Sequence, residues 1–199
     1  MVDIYLHKIA AISDPRLQQL SALPSFAAKI RFCDATFKKL KAGSSRIAYD
    51  YSTDLVLKLA KNTIGIEQNR TEADGFIQQH YKDIVANVID TDQDELWIIS
   101  EKAFKITQSE FRTLTGFDFN NFCSYLRKRL GNGKLDNLKV NDEEKLDNDP
   151  RINELLDMSI NFQMPAGDMC RISSWGKVKN RAVLIDYGLT NQIFDEYYK

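Results

Sequence analysis

Apolar residues in this chain recur with two periods. From Ser25 they fall at Phe26, Ile30, Cys33, Phe37 and Leu40, spaced four, three, four and three. That spacing predicts an amphipathic helix running through Leu40. Upstream, Asp14-Pro15 reads as an N-cap with proline at the first helical position, followed by Leu17, Leu20 and Leu23 and a stop at Pro24. A third helix is expected from Thr71, as N-cap, to about Ile84, with Phe76, Ile77, Tyr81 and Ile84 inward. Asn62 to Arg70, which contains Gly65, reads as a polar link. Thr107-Gln108-Ser109-Glu110 is a capping-box pattern before Phe111 and Leu114, and Gly116 ends that helix. Asp118 starts another, with Phe119, Phe122, Leu126 and Leu130 inward and Gly131 as its stop. Asp149-Pro150 starts the helix of Ile152, Leu155, Leu156 and Ser159 to Phe162.

Shorter apolar runs bounded by polar turns predict strands at Ile47 to Asp50, Leu55 to Lys61, Ile84 to Ile89, Leu96 to Glu101 and Ala182 to Ile185. Lys41 to Arg46 reads as a small-residue link, and Gly131 to Pro150 as an exposed insertion. Asp90 to Glu95 carries four acids in six residues. Their spacing is wrong for a helix-loop-helix calcium site, so a solvated hairpin tip is expected. Helices and strands mixed in this way give an α+β class.

Three residues stand out chemically. Lys58 sits between Leu57 and Leu59. A lysine there either faces solvent on an edge strand or needs a buried partner. Asp168 and Asp186 flank the predicted hairpin, where two carboxylates can converge on a hard cation such as Mg²⁺. Glu72, in the first turn of its expected helix, suits the helix dipole by itself. Arg127-Lys128-Arg129 reads as a solvated helix end; gripping a phosphorylated or nucleic-acid partner is the alternative.

The ordered series Gly43-Ser44-Ser45-Arg46, Lys58, Glu72, Gly167-Asp168 and Asp186-Tyr187-Gly188 resembles the protein-kinase-like and aminoglycoside-phosphotransferase-like superfamily. It is also similar to small kinase-like phage proteins. The resemblance implies a minimal two-lobed kinase-like fold. A helical extension over 1–40 would precede an N-lobe-like sheet and helix over 41–103, and a reduced, mostly helical C-lobe with a β-hairpin would occupy 104–199. By that resemblance Gly43, Ser44 and Ser45 cover phosphates, and Lys58 neutralises them. Glu72, with Glu67 as second candidate, pairs with Lys58. The hinge at Glu101 to Ala103 meets the base. Asp168 orients or deprotonates a substrate hydroxyl, Asp186 holds Mg²⁺, and Ser173 occupies the second metal position. The chain departs from the family in four ways. One glycine remains in the phosphate loop, a neutral serine replaces the second metal ligand, Gly167 rather than a His-Arg pair precedes Asp168, closer to the aminoglycoside-kinase variant, and nine residues follow Thr190.

Composition adds bounds. The apolar share is 43%, the charged share 28% and the formal charge -1, which single out neither nucleic acid nor membrane as a partner. Three scattered cysteines and two histidines argue against a disulfide scaffold, a structural zinc site or a histidine metal cluster. With no long apolar run and no signal-peptide pattern, a cytoplasmic setting is expected, that of the host if the protein is viral. The functional expectation is an ATP- and Mg-dependent phosphotransferase on an unassigned substrate. The alternative is an inactive pseudokinase-like module, with no cofactor, that binds or inhibits a host protein.

Overall fold

The computed structural model describes residues 14–131 and 137–197. Met1 to Ile12, weakly patterned in sequence, lies outside the described residues. The chain forms two compact units, one of residues up to Gln78 plus Asn87–Lys102, the other of Gln79–Ala86 plus residues from Ala103 onward.

The first unit opens with α1 (Pro15–Ala22) and α2 (Phe26–Thr36). Asp14 caps α1 by accepting from the Arg16 N–H at 2.9 Å, as its Asp-Pro signature predicts. Lys29, only 3% exposed on α2, sends its ammonium to the carbonyls of Leu20, Ser21 and Leu23 at 2.7–2.9 Å. It closes the end of α1, where carbonyls lack helical partners.

The predicted helix through Leu40 is shorter than its apolar period. It stops at Thr36, and Lys38–Ala42 is a strand, β1. Phe37 leaves the helix in extended backbone and enters the core, while Leu40 stays 45% exposed. Pairing with the next strand overrides the local helical pattern. β2 (Arg46–Asp50), β3 (Leu55–Ala60), β4 (Val88–Thr91) and β5 (Trp97–Glu101) complete an antiparallel sheet of order β1-β2-β3-β5-β4. Leu55, Leu57 and Leu59 of β3 join Ile47, Tyr49, Trp97 and Ile99 on one face. That face packs against Leu17, Leu20, Cys33 and Phe37. Trp97 anchors the arrangement by donating its indole N–H to Ser21 Oγ at 2.8 Å.

The polar link expected over Asn62 to Arg70 is instead α3 (Thr63–Glu72), capped by Asn62, which accepts from the Gly65 N–H at 3.0 Å. Its buried residues are Gly65, Gln68, Asn69 and Glu72, so the helix has no apolar stripe to reveal it. Thr71 therefore is not an N-cap; its hydroxyl donates to the Glu67 carbonyl one turn back. A separate α4 (Gly75–His80) follows, started by Asp74, and Phe76 is 50% exposed rather than inward.

In the second unit, Ile84 to Ala86 does not extend a strand of the sheet. Its carbonyl and amide groups bond Leu184 instead, at 2.8 and 3.0 Å. β6 (Phe104–Lys105), β7 (Trp175–Val178) and β8 (Arg181–Leu184) form a small antiparallel sheet. α5 (Gln108–Thr115) has the expected capping box, and α6 (Phe119–Leu130) the expected Asp118 cap. Phe111, Phe119, Phe122 and Trp175 pack ring against ring at 5.0–6.1 Å. The segment read as an exposed insertion contains a short helix, α7 (Glu143–Asp147), with Leu146 fully buried. Its acids answer the basic end of α6, with Lys128 on Glu143 at 2.9 Å and Arg129 on Asp147. α8 (Pro150–Asn161), α9 (Ala166–Met169), a 3-10 turn (Ile172–Ser174) and α10 (Asn191–Tyr197) complete the unit. No helix among the described residues is long and apolar enough to cross a membrane.

Candidate functional site

The first unit supplies a buried charge cluster. Alternation along β3 sends Leu57 and Leu59 into the core and Lys58 to the opposite face, beside Val56 and Ala60. β3 is flanked by β2 and β5, so the edge-strand reading of Lys58 does not hold. Its ammonium instead bonds the Glu72 carboxylate, with Lys58 12% exposed and Glu72 not at all. The other Glu72 oxygen accepts from Arg46 at 2.7 Å. Arg46 also donates to Asn69 Oδ1 at 3.3 Å, and the Asn69 amide reaches the Glu95 carbonyl at 2.8 Å. One buried carboxylate thus faces two cations. Desolvating a carboxylate is costly without such partners. Glu67, the second candidate for Lys58, pairs with Arg70 at 2.8 Å.

The Gly43-Ser44-Ser45 turn joins β1 to β2, a connection hidden in sequence because β1 was not legible. The Gly43 N–H donates to the Arg46 carbonyl at 2.8 Å, and the Lys61 ammonium to the Gly43 carbonyl at 2.9 Å. Ser45 is 5% exposed and turns inward, its hydroxyl donating to Gln68 Oε1 at 2.6 Å. Ser44 is exposed. Gly65 lets α3 approach this turn, since a Cβ there would meet the Ser45 carbonyl at 2.3 Å. Glu101, at the end of β5, accepts from the backbone and side-chain amides of Asn87, both at 3.0 Å.

The second unit holds the acids. Pro165 precedes α9, so Asp168 lies in a single helical turn rather than an open loop. It pairs with the exposed Arg171 at 3.0 Å. Burial nevertheless raises the Asp168 carboxyl above its ordinary range, with Asp186 adding to the rise and Arg171 opposing it. Arg171 is 68% exposed, so water screens its pull, and burial together with the second acid outweighs it. Asp186 follows β8, exposed, next to Tyr187, whose hydroxyl is buried on the Ala86 carbonyl at 3.0 Å. The Ile185 N–H bonds the Ser174 carbonyl at 2.8 Å, fixing the strand that delivers Asp186. Ser173 is exposed on the 3-10 turn. Ala103 lies against Gly176, where a Cβ would come within 2.7 Å of its own.

Among the described residues no group of three or more His, Cys, Asp and Glu side chains could hold a metal ion. Sequence reasoning missed Arg46, Gln68, Asn69 and Gly65. The available signal was the run Gln68, Asn69 and Glu72, polar residues that share one side of a helix at such spacing.

No family model matches the chain, and no curated protein matches it. Among solved structures it is similar to the GDP complex of a point mutant of aminoglycoside 2′-phosphotransferase-IIIa. The TM-score is 0.39 with 12% identity, covering 80% of this chain and 68% of that one.

Proposed function

We propose that this is a kinase-like protein that transfers a phosphoryl group from ATP. The reading is supported above all by the buried pair of Lys58 and Glu72, a strand lysine held by a helix carboxylate. A lysine fixed in this way is pre-organised to meet phosphate charge, and Arg46 adds a second cation. In this reading Asp186 and Asp168 are the oxygen ligands and proton-handling group. Mg²⁺ would supply charge neutralisation to the phosphates, with Asp186 holding it. The raised proton affinity of Asp168 suits a carboxylate that accepts a hydroxyl proton. Gly43 and Ser44 would lie over the phosphates, and Glu101 and Ala103 would flank the base.

The test is transfer of labelled γ-phosphate, by autophosphorylation or to a panel of small hydroxyl acceptors. Asp186→Asn and Lys58→Met should each lower transfer at least a hundredfold. Absence of Mg²⁺-dependent ATP binding at millimolar nucleotide refutes the reading.

A second reading is a pseudokinase-like partner-binding module. It is favoured by Ser45, whose hydroxyl is committed to Gln68, and by a neutral Ser173. It predicts no phosphoryl transfer and no required cofactor, with partner capture that survives Lys58→Met.

A further inference from the structure

The charge cluster of the first unit contains a neutral side chain to which the chemistry above gives no role. Asn69 lies on α3 three residues before Glu72, on the same side of the helix. It is fully buried. Burying an amide is costly unless its oxygen and nitrogen both find partners, and here both do. Asn69 Oδ1 accepts from Arg46 Nη1 at 3.3 Å, and Nδ2 donates to the Glu95 carbonyl at 2.8 Å. We propose that Asn69 is a positioning residue for Lys58, acting through Arg46 and Glu72.

The placement is passed along in fixed steps. Glu95 stands in the turn between β4 and β5 in left-handed backbone, φ 51°, and its N–H bonds the Asp92 carbonyl at 3.2 Å. Its own carbonyl takes the nitrogen end of the Asn69 amide, which turns the oxygen end to Arg46. A guanidinium is planar and rigid, so holding Nη1 also aims Nη2. Nη2 meets one Glu72 oxygen at 2.7 Å, and the other oxygen meets the Lys58 ammonium. Glu72 is the last residue of α3, and helix ends fray. The Arg46 fork therefore fixes where this carboxylate stands, and with it the lysine. An aliphatic residue at 69 would fill the space but leave Nη1 without that acceptor, and the fork would be free to turn.

The catalytic consequence rests on the phosphotransferase reading. A displaced Lys58 would meet phosphate charge out of alignment, which lowers the rate of the chemical step. The placement of the lysine itself does not depend on that reading, so the two can be tested apart.

The experiment treats the folded full chain with trace acetic anhydride and compares acetylation rates of individual lysines by peptide mass spectrometry. Lys38, exposed on β1, corrects for reagent. Lys29, 3% exposed and bonded to three carbonyls in the same unit, reports general loosening. Asn69→Leu should speed Lys58 acetylation by about fivefold or more while Lys29 stays within about twofold. Asn69→Asp keeps an acceptor for Arg46 and should hold Lys58 within about twofold of the unmodified protein. Arg46→Lys keeps the charge but lacks the fork that spans Glu72 and Asn69. It should reproduce Asn69→Leu, and the double variant should be no faster than either. In transfer assays, Asn69→Leu should lower kcat about tenfold with KM for ATP within about threefold. The proposal is overturned if Lys58 acetylates no faster in Asn69→Leu, if Lys29 speeds up as much as Lys58, or if Asn69→Asp behaves like Asn69→Leu. An unmodified protein that transfers no phosphate refutes the phosphotransferase reading alone, since the acetylation ratios still decide the role of Asn69.

Discussion

Replacing Glu72 by Gln removes one charge and keeps the shape, taking a carboxylate away from Lys58 and Arg46, which are 12% and 10% exposed. An ion pair at contact in a partly buried site is worth about 4 kcal/mol at an effective dielectric near 20, before desolvation is counted. Breaking a buried pair costs roughly 3–5 kcal/mol. Glu72→Gln should therefore lower stability of the first unit by about 3–5 kcal/mol. Lys58→Met leaves Glu72 its bond to Arg46, so about 1–3 kcal/mol is expected. On top of Glu72→Gln, the Lys58 change should cost less than it does alone, a coupling on the order of 1–3 kcal/mol. Urea unfolding measures this if the units are read separately. Trp97 lies in the first and Trp175 in the second, so a Trp175→Phe background isolates the Trp97 signal. A loss below about 1 kcal/mol for Glu72→Gln, or strict additivity in the double variant, would show that the carboxylate does not hold both cations.

Other consequences can be checked directly. Burial pushes the Asp92 carboxyl up to about 6 in its turn, although the Leu96 and Trp97 amides bond it. A raised carboxyl favours the protonated folded state, so this contribution is present below pH ~4 and is lost as pH rises through about 6. Asp92→Asn should flatten unfolding free energy between those values by about 2 kcal/mol. Asp14 has the opposite sign: its bonds to Arg16 and Tyr51 hold it down to about 2. Its contribution is present above pH ~4 and is lost on acidification toward 2, so Asp14→Asn should weaken α1 by about 1 kcal/mol at pH 7 and by less at pH 2. Gly65→Ala should destabilise by about 2–4 kcal/mol, because the new methyl meets the Ser45 carbonyl and Ala60. Gly75→Ala, with nothing within 4 Å, should instead stabilise by about 0.5–1 kcal/mol. Thermal melts of the pair give a signed comparison.

What could be read from the chain followed its chemistry. Helix starts carried by Asp14, Thr107, Asp118 and Asp149 are legible because capping is local, and all four cap as expected. The strands at Ile47 to Asp50 and Leu55 to Lys61 are legible because they are short apolar runs bounded by polar turns, the second interrupted only by Lys58. β1 was not, because an edge strand with all five residues exposed carries no burial pattern. α3 was not, because its inward face is polar and is made stable by Arg46, Lys58 and Ser45, which are distant in sequence. The pairing of Lys58 with Glu72 rather than Glu67 depended on where that hidden helix ends, which a sequence period does not fix.

The two leading helices, taken in sequence as an addition to the sheet, turn out to be its lining. Remove them and a broad oily surface around Tyr49, Leu57 and Trp97 meets water. A shortened protein beginning at β1 should then clump or fail to accumulate, whatever becomes of its charged face. A cut at residue 41 would separate that sheet face from the helices that cover it.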